Sequence, residues 1–161
     1  MIELKKAAIG DIPQLWALRT RAVRLTCASH YSAEQIEVWS ASPAPESYVR
    51  LIVTQSALMA QENGQLLGYG ILDRQSGEVI AVFVEPGQDG NGIGKLLMQG
   101  LEAIAAQEHF TRLYLFSSLN AADFYRAMGF AAIRDEAYEH PSGITLRSLY
   151  MEKGLAGREL H

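Results

Sequence analysis

The sequence predicts an α+β fold in which a mixed, mostly antiparallel central sheet is flanked by helices. The pair Asn63-Gly64 between two apolar segments is a strong signal for a β-hairpin. An apolar run rich in β-branched residues, Val79 to Val84, has the length of a buried strand. A glycine-rich loop and a segment of helical apolar spacing follow this run, so that a strand, a loop and a helix succeed one another.

The first half of the chain is predicted to contain an edge strand, three helices and a meander of strands. Helix starts are indicated by Asp11, with Pro13 in the first turn, and by Ser32, with Gln35 three residues later. The predicted elements are an edge strand over Ile2–Ala8, a helix with Leu15, Leu18, Ala22 and Leu25 on one face, a helix with Ile36 and Trp39 on one face, a helix through Tyr48, Leu51 and Ile52, and strands over Ala57–Gln61, Leu66–Asp73 and Glu78–Val84.

The second half is predicted to return to the sheet through a crossover helix. The strand that follows this helix should lie parallel to the central strand, because such crossovers are right-handed and bring the chain back in the same direction. The predicted elements are the helix with Leu97, Leu101 and Ile104 on one face, a strand over Arg112–Ser117, a short helix over Ala121–Met128 with Gly129 as its left-handed C-cap, a turn over residues 135–143 and a closing strand over Ile144–Met151.

Length and composition narrow the class of protein. With 161 residues, 48% apolar and 20% charged, the chain is expected to form one domain over residues 1–161. The net charge of −4 argues against nucleic acid as a partner, and the single cysteine, Cys27, fits a reducing cytoplasm. No apolar stretch approaches the roughly 18 residues of a membrane span, so we expect no membrane partner and a cytoplasmic location.

The loop after the central strand has the features of a phosphate-binding helix start. Gly90, Gly92 and Gly94 precede a helix whose first amides lack intrahelical acceptors and whose dipole attracts anions. A dinucleotide fingerprint would need glycine where Lys95 stands, and a Walker loop would need it where Asp89 stands. The two common nucleotide motifs are therefore disfavoured.

Two segments resemble the motifs of the GNAT superfamily of N-acetyltransferases. The first, Val84-Glu-Pro86-Gly-Gln-Asp89-Gly90-Asn-Gly92-Ile-Gly94, resembles the acyl-CoA loop and departs from it at Asp89, where the superfamily has Gln or Arg. The second, from Ser118 to Phe130, resembles the pattern Asn-x-x-Ala-x-x-Phe-Tyr-x-x-x-Gly-Phe, with Ser118 in place of the first Asn. Their joint order and spacing make the resemblance specific.

The resemblance implies a GNAT-like fold with splayed central strands and transfer of an acetyl group from acetyl-CoA directly to an amine. It implies that Tyr125 gives a proton to the leaving thiolate, and a phenol with an ordinary pKa near 10 is protonated at neutral pH. A packing role for Tyr125 beside Phe124 is the alternative. No metal is expected. The residues implied to bind coenzyme A are Val82, Phe83, Val84, Asp89, Gly90, Asn91, Gly92, Ile93, Gly94, Lys95, Asn120 and Phe124.

The acceptor side and the general base are less determined. In the superfamily the helices after the first strand cover the acceptor, although Tyr31 and Trp39 are equally suited to anchoring a helix to the core. A strand glutamate that serves some members as the base is replaced here by Ala81. The candidate acceptor contacts are Tyr31, Glu34, Trp39 and Glu78, and the candidate bases are Glu78, Asp73, Glu34, His30 and an ordered water.

The predicted partner is a small-molecule or peptide amine, and a homodimer is plausible by resemblance. A second interpretation is a CoA-binding sensor or regulatory module without turnover, which would account for Asp89 and for the missing strand glutamate. The presence of Tyr125 favours the enzyme. No motif in the sequence identifies the acceptor amine.

Overall fold

The computed structural model describes residues 1–88, 90–139 and 143–155 of the chain. Short 3₁₀ turns, Ile9–Asp11 and Leu119–Ala121, precede the first and last helices. Among the described residues, none of the helices combines the length and the apolar character that crossing a lipid bilayer requires. In chain order the strands and helices are β1 (Glu3–Lys6), α1 (Ile12–Thr26), α2 (Ala33–Ser40), α3 (Ser47–Val53), β2 (Ala57–Glu62), β3 (Gln65–Leu72), β4 (Val79–Val84), α4 (Ile93–Gln107), β5 (Arg112–Ser118), α5 (Ala122–Ala127), β6 (Ala131–Glu139) and β7 (Thr145–Gly154).

The strands form two antiparallel sheets that meet along β4 and β5. The first sheet has the order β1-β2-β3-β4 and the second the order β5-β7-β6. Within the described residues they are joined by one parallel bridge, between Glu78 and Tyr114, where the Tyr114 N–H donates to the Gly77 oxygen at 3.2 Å. Beyond this bridge β4 and β5 no longer pair. The α+β fold with splayed central strands is confirmed, as is the parallel direction of β5.

A bulge in β4 lies next to the point where the sheets part. Leu72 of β3 pairs with Val79, whereas Ile71 pairs with Ala81, which leaves Ile80 as an extra residue. Such a bulge reverses the alternation of side chains along the strand. Val79 consequently packs into the cluster under α4, and Ala81 into the cluster on the opposite face.

Helices cover both faces of the first sheet. Leu97 of α4 is fully buried on one face, and Leu15 and Leu18 of α1 are fully buried on the other. A Cβ added at Gly68 would lie 2.9 Å from the Phe83 oxygen and 3.1 Å from Leu97 Cδ1. Glycine at position 68 therefore lets the first turns of α4 approach β3, which fixes where the amino end of α4 lies.

Several local predictions are confirmed by the backbone. Asn63 and Gly64 have φ angles of 55° and 79°, as a two-residue hairpin turn with two left-handed residues requires. Ser32 Oγ accepts from the Gln35 N–H at 3.1 Å, and Gln35 Oε1 accepts from the Ser32 N–H at 2.9 Å, which forms the predicted capping box. Gly129 has a φ of 99° after α5, as its C-cap role predicts.

Other local predictions are wrong in whole or in part. Leu25 is 69% exposed, so the buried face of α1 ends before it. Asp11 is the N-cap residue of α1, as predicted, but its side chain does not bond the helix amides; its Oδ2 accepts from the Ala8 N–H at 2.8 Å and stabilises the 3₁₀ turn instead. The segment from Asp135 to Glu139, predicted as part of a turn, belongs to β6, while residues 140–142 lie outside the described residues.

Candidate active site

Two cavities open between the diverging sheets and share part of their walls. The glycine-loop cavity, about 660 Å³, lies at the amino end of α4, and the aromatic cavity, about 550 Å³, lies between β4, β5 and the first two helices. A molecule bound in one cavity can therefore meet a molecule bound in the other. The residues that line both cavities are Val82, Phe83, Ser118, Ala121 and Tyr125.

The amino end of α4 offers free amide donors to the glycine-loop cavity. Gly90 and Gly92 hold the left-handed φ angles of 83° and 76°, and an added Cβ at either position would meet nothing within 4 Å. The first backbone hydrogen bond of α4 runs from the Leu96 N–H to the Gly92 oxygen at 3.0 Å. The amides of residues 93–95 precede it and have no acceptor within the helix, so they can donate to an anion.

The predicted loop residues are not all brought to the cavity. Asn91 is not part of its lining; its Nδ2 donates to Gln88 Oε1 at 3.0 Å, and Gln88 is a lining residue that the sequence analysis missed. Asp89 lies outside the described residues. The predicted residues that do line the cavity are Val82, Phe83, Val84, Gly90, Gly92, Ile93, Gly94, Lys95, Asn120 and Phe124.

The glycine loop packs directly against α5, which carries Tyr125. A Cβ added at Gly94 would lie 2.9 Å from Phe124 Cε1, so only glycine permits this contact without displacement. The Tyr125 ring packs edge-on against Phe124 and Phe130, with centroid distances of 5.1 Å and 5.8 Å. The position of Tyr125 is thereby tied to the position of the loop.

The Tyr125 side chain is buried at the wall between the cavities. The residue is 7% exposed, and its hydroxyl forms no hydrogen bond within the described part of the chain. Burial raises the pKa of the phenol well above its ordinary value, because the charged form would lose its hydration. The hydroxyl therefore keeps its proton at neutral pH and is able to donate it.

Asn120 lines the glycine-loop cavity and has an unsatisfied acceptor. Its Oδ1 is buried and has no hydrogen-bond partner, a situation that costs about 1–3 kcal/mol in a folded protein. Cys27 lines the same cavity, and burial raises the pKa of its thiol to about 11, although a hydrogen bond from Asn120 opposes this effect. A protonated thiol is a poor nucleophile, which agrees with a packing role for Cys27.

The aromatic cavity contains most of the predicted acceptor residues. Tyr31, Trp39 and Glu78 line it, whereas Glu34 is exposed and is not part of its lining. The Tyr31 hydroxyl donates to the Arg147 oxygen at 2.7 Å and accepts from the Leu119 N–H at 3.0 Å. These two bonds tie the loop before α2 to β7 and to the turn before α5, so the hydroxyl of Tyr31 serves as an anchor.

Among the side chains predicted as bases, Glu78 is the one that lines the aromatic cavity. It is half-buried, and burial, followed by the charge of Asp73, raises the pKa of its carboxyl group. Asp73 itself forms an ion pair with Arg50 at 3.4 Å, and His30 is exposed. A carboxylate with a raised pKa beside a cavity is suited to accept a proton.

The sequence analysis missed several lining residues because their positions depend on tertiary structure. One of them carried a signal: Arg19 interrupts the buried face of α1 formed by Leu15, Leu18 and Ala22. Within the described residues, no group of three His, Cys, Asp or Glu side chains is placed to hold a metal ion. The missed residues of the aromatic cavity include Trp16, Arg19, Tyr48, Phe116, Ser117 and Arg147.

The divided sheet, the anion-binding helix start and the second cavity beyond it suit a protein that binds a phosphate-bearing ligand and brings it against a second molecule. The chain belongs to the acetyltransferase (GNAT) domain family, whose model matches residues 27–153. The protein is therefore an acetyl-CoA-dependent acetyltransferase, and the predicted GNAT membership is confirmed.

Comparisons with individual proteins agree with this membership. The chain is 27% identical over 138 residues to the uncharacterized N-acetyltransferase YafP of Escherichia coli (strain K12), covering 86% of the chain and 87% of the relative. A GCN5-related N-acetyltransferase structure from Rhodopseudomonas palustris, also named aminotransferase class-II, has a TM-score of 0.86 at 24% identity and 95% coverage of both chains. The PaiA N-acetyltransferase of Thermoplasma acidophilum, solved in complex with coenzyme A, has a TM-score of 0.76 at 24% identity, covering 96% of this chain and 99% of that one.

Proposed function

We propose that the protein is an N-acetyltransferase, which transfers the acetyl group of acetyl-CoA directly to an amine of a small molecule or peptide. The observation that carries the proposal is the shared wall at Val82, Phe83 and Tyr125, where the two cavities meet. One cavity offers amide donors for a diphosphate, and the other offers aromatic walls and a carboxylate for an amine. The name of the Escherichia coli relative supports the same activity.

The glycine-loop cavity has the donors and acceptors that coenzyme A requires. Acetyl-CoA supplies an activated thioester at the end of an arm that contains amide groups. The amides of residues 93–95 would hold its diphosphate, and Asn120 Oδ1 would accept from an amide N–H of the arm. The edge of β4 that faces away from β3 has no strand partner after Glu78 among the described residues, so its backbone is free to bond the arm.

Three groups of the chain are placed to assist the transfer. Glu78 would take a proton from the amine through water, because it precedes Val82 by four residues, about 13 Å of extended backbone. Unpaired main-chain N–H groups of β4 would stabilise the negative charge that develops on the thioester oxygen. Tyr125 would donate its proton to the departing sulfur.

The proposal extends to the organisation of the whole chain. Residues from α1, such as Trp16, and from β7, such as Ser148, line the same aromatic cavity, which supports a single domain over residues 1–161. A cytoplasmic location, a homodimer and the lack of a nucleic-acid partner stay predictions from the sequence.

The test is a thiol-release assay with acetyl-CoA and a panel of amines that includes amino acids, aryl and alkyl amines, polyamines, aminoglycosides and peptide N-termini. We expect amine-dependent release of coenzyme A thiol and recovery of the N-acetylated amine by mass spectrometry. Tight coenzyme A binding without thiol release from any amine would instead indicate a binding module and would overturn the proposal.

A further inference from the structure

The aromatic cavity contains a buried positive charge for which the described residues supply no carboxylate. Arg19 lines the cavity and is only 4% exposed. Its Nη2 donates to the Trp39 oxygen at 2.8 Å and its Nη1 to the Ser40 oxygen at 3.3 Å. The guanidinium carbon lies 4.2 Å from the centroid of the Trp16 ring. None of the ion pairs among the described residues includes Arg19.

These contacts compensate the charge only in part. Trp39 and Ser40 form the last turn of α2, so Arg19 meets the negative end of a helix dipole, which is equivalent to about half an elementary charge. The indole face of Trp16 adds a weaker attraction. Burial lowers the pKa of Arg19, and the neighbouring groups that oppose this are the phenols of Tyr69 and Tyr48 and the thiol of Cys27, which are neutral at pH 7.

Arg19 also keeps a donor that nothing in the described chain uses. Arg19 Nε forms no hydrogen bond with a described residue. The side-chain atoms of the described residues that are both buried and unpartnered are Arg74 Nε and Asn120 Oδ1, so Arg19 Nε is not fully buried. The Nε–H therefore retains access to open space, and the open space that Arg19 lines is the aromatic cavity. A guanidinium presents its N–H groups as a planar fork that matches a carboxylate.

An opposite charge lies elsewhere in the same cavity. Glu78 lines the aromatic cavity and forms no ion pair with a described residue, so it is not within 4.0 Å of the Arg19 nitrogens. Apolar and aromatic side chains, including Ile80 and Phe83, line the same cavity. The cavity of about 550 Å³ is thus complementary to a small molecule that carries one negative group, one amine and an apolar body.

We propose that the amine acceptor is an α-amino acid or a close analogue, whose carboxylate binds Arg19 while its amine points to the wall shared with the glycine-loop cavity. This inference rests on the proposed function and names the substrate class of the same site. An anion at Arg19 would complete the compensation of a buried charge, which is costly to leave unpaired. A simple alkyl or aryl amine would leave Arg19 unpaired, and so it should be a poorer acceptor.

The test uses pairs of amines that differ only by a carboxylate. Suitable pairs are phenylalanine with 2-phenylethylamine, tryptophan with tryptamine, and leucine with 3-methylbutylamine. For at least one pair we expect the kcat/KM of thiol release to favour the amino acid by about tenfold or more, because the loss of a charge-assisted hydrogen bond in a buried site is costly. If the decarboxylated amine is equal or better in every pair, the proposal is wrong.

Substitutions at Arg19 separate substrate recognition from a purely structural role. Arg19→Met should reduce the preference within a pair to nearly one, and Arg19→Lys should keep part of it, since lysine retains the charge without the fork. If the only role of Arg19 is to bond the last carbonyl groups of α2, activity on both members of a pair should fall by the same factor. The unchanged preference would then refute the proposal. Should Arg19→Met fail to fold, the wild-type preference and Arg19→Lys decide the question.

A binding measurement distinguishes failure of this inference from failure of the proposed function. Both tryptophans of the chain, Trp16 and Trp39, line the aromatic cavity, so intrinsic fluorescence reports its occupancy. With coenzyme A present, phenylalanine and leucine should change the fluorescence at lower concentration than their decarboxylated partners. Preferential binding of the amino acids without thiol release would refute the proposed N-acetyltransferase activity and support the carboxylate site at Arg19. Thiol release without any preference for the amino acids would support the activity and refute the carboxylate site.

Discussion

Replacing Tyr125 with phenylalanine removes one oxygen atom from the wall that the two cavities share. The hydroxyl has no hydrogen-bond partner within the described residues and the side chain is 7% exposed, so no bond is lost and the ring contacts with Phe124 and Phe130 are kept. We therefore expect the free energy of unfolding to change by less than about 0.5 kcal/mol. Turnover should fall by about 10²–10⁴, the usual contribution of a general acid.

The pH dependence sharpens this prediction. Burial raises the pKa of the Tyr125 phenol well above its ordinary value, so the acid stays protonated across the assay range and the defect of Tyr125→Phe should be nearly the same from pH 6.5 to 9.5. The assay is thiol release at saturating acetyl-CoA and amine from pH 6.5 to 9.5, with the coenzyme A dissociation constant measured in parallel. We expect that constant to be within about twofold of the wild type, because the binding groups are unchanged.

Tyr69→Phe is the matched control. Tyr69 is fully buried and its hydroxyl bonds the Tyr48 hydroxyl at 2.9 Å, but it lines neither cavity. Its loss should cost about 1 kcal/mol of stability and leave turnover nearly intact. If Tyr125→Phe retains the wild-type rate at saturating substrate, or if the two variants lose the same activity, Tyr125 is a packing residue and not the acid.

Three further substitutions probe the loop, the carrier site and the base. Gly92→Val should weaken coenzyme A binding at least about tenfold, because a β-branched residue is strained at a φ of 76° and would distort the amides of residues 93–95. Gly64→Val is the control: it introduces similar strain at a φ of 79° in the hairpin and should bind coenzyme A normally. Asn120→Leu should stabilise the free protein or leave it unchanged while it raises the KM for acetyl-CoA, a combination that a structural asparagine would not give. Burial raises the pKa of Glu78, so the kcat of the wild type should fall as the pH decreases through that raised value. Glu78→Gln should lower kcat and remove this decrease at low pH. An unchanged pH profile in Glu78→Gln would exclude Glu78 as the base.

The parts of the fold that local chemistry determines could be predicted from the sequence. The Asn63-Gly64 turn, the capping box at Ser32 and the strand–loop–helix unit at Gly90–Gly94 depend on residues close together in the chain, and the structure contains each of them. The second motif was recognised in the same way, and Tyr125 lies at the wall between the cavities.

The arrangement of the two sheets could not be predicted in this way. The bulge at Ile80 has no marker in an apolar run, and the sequence did not indicate that β7 pairs with β5. Most residues of β6 are exposed, so the strand lacks the alternation of apolar and polar residues that would reveal it, and Asp135–Glu139 was predicted as a turn. The acceptor side depends on how α1 and α2 pack over the sheets, which explains why Arg19 was missed and why Glu34 was included.

The most direct test of the central claim is amide hydrogen exchange with and without coenzyme A. The claim is that the amides at the start of α4 hold the diphosphate and that the arm lies along the free edge of β4. We predict that coenzyme A slows amide exchange at residues 93–95, whose amides lack acceptors in the free protein, and at residues 82–84, which border the gap between the sheets. Exchange in the hairpin at Asn63-Gly64 should not change. Protection confined to β6 and β7, with residues 93–95 unaffected, would contradict the account.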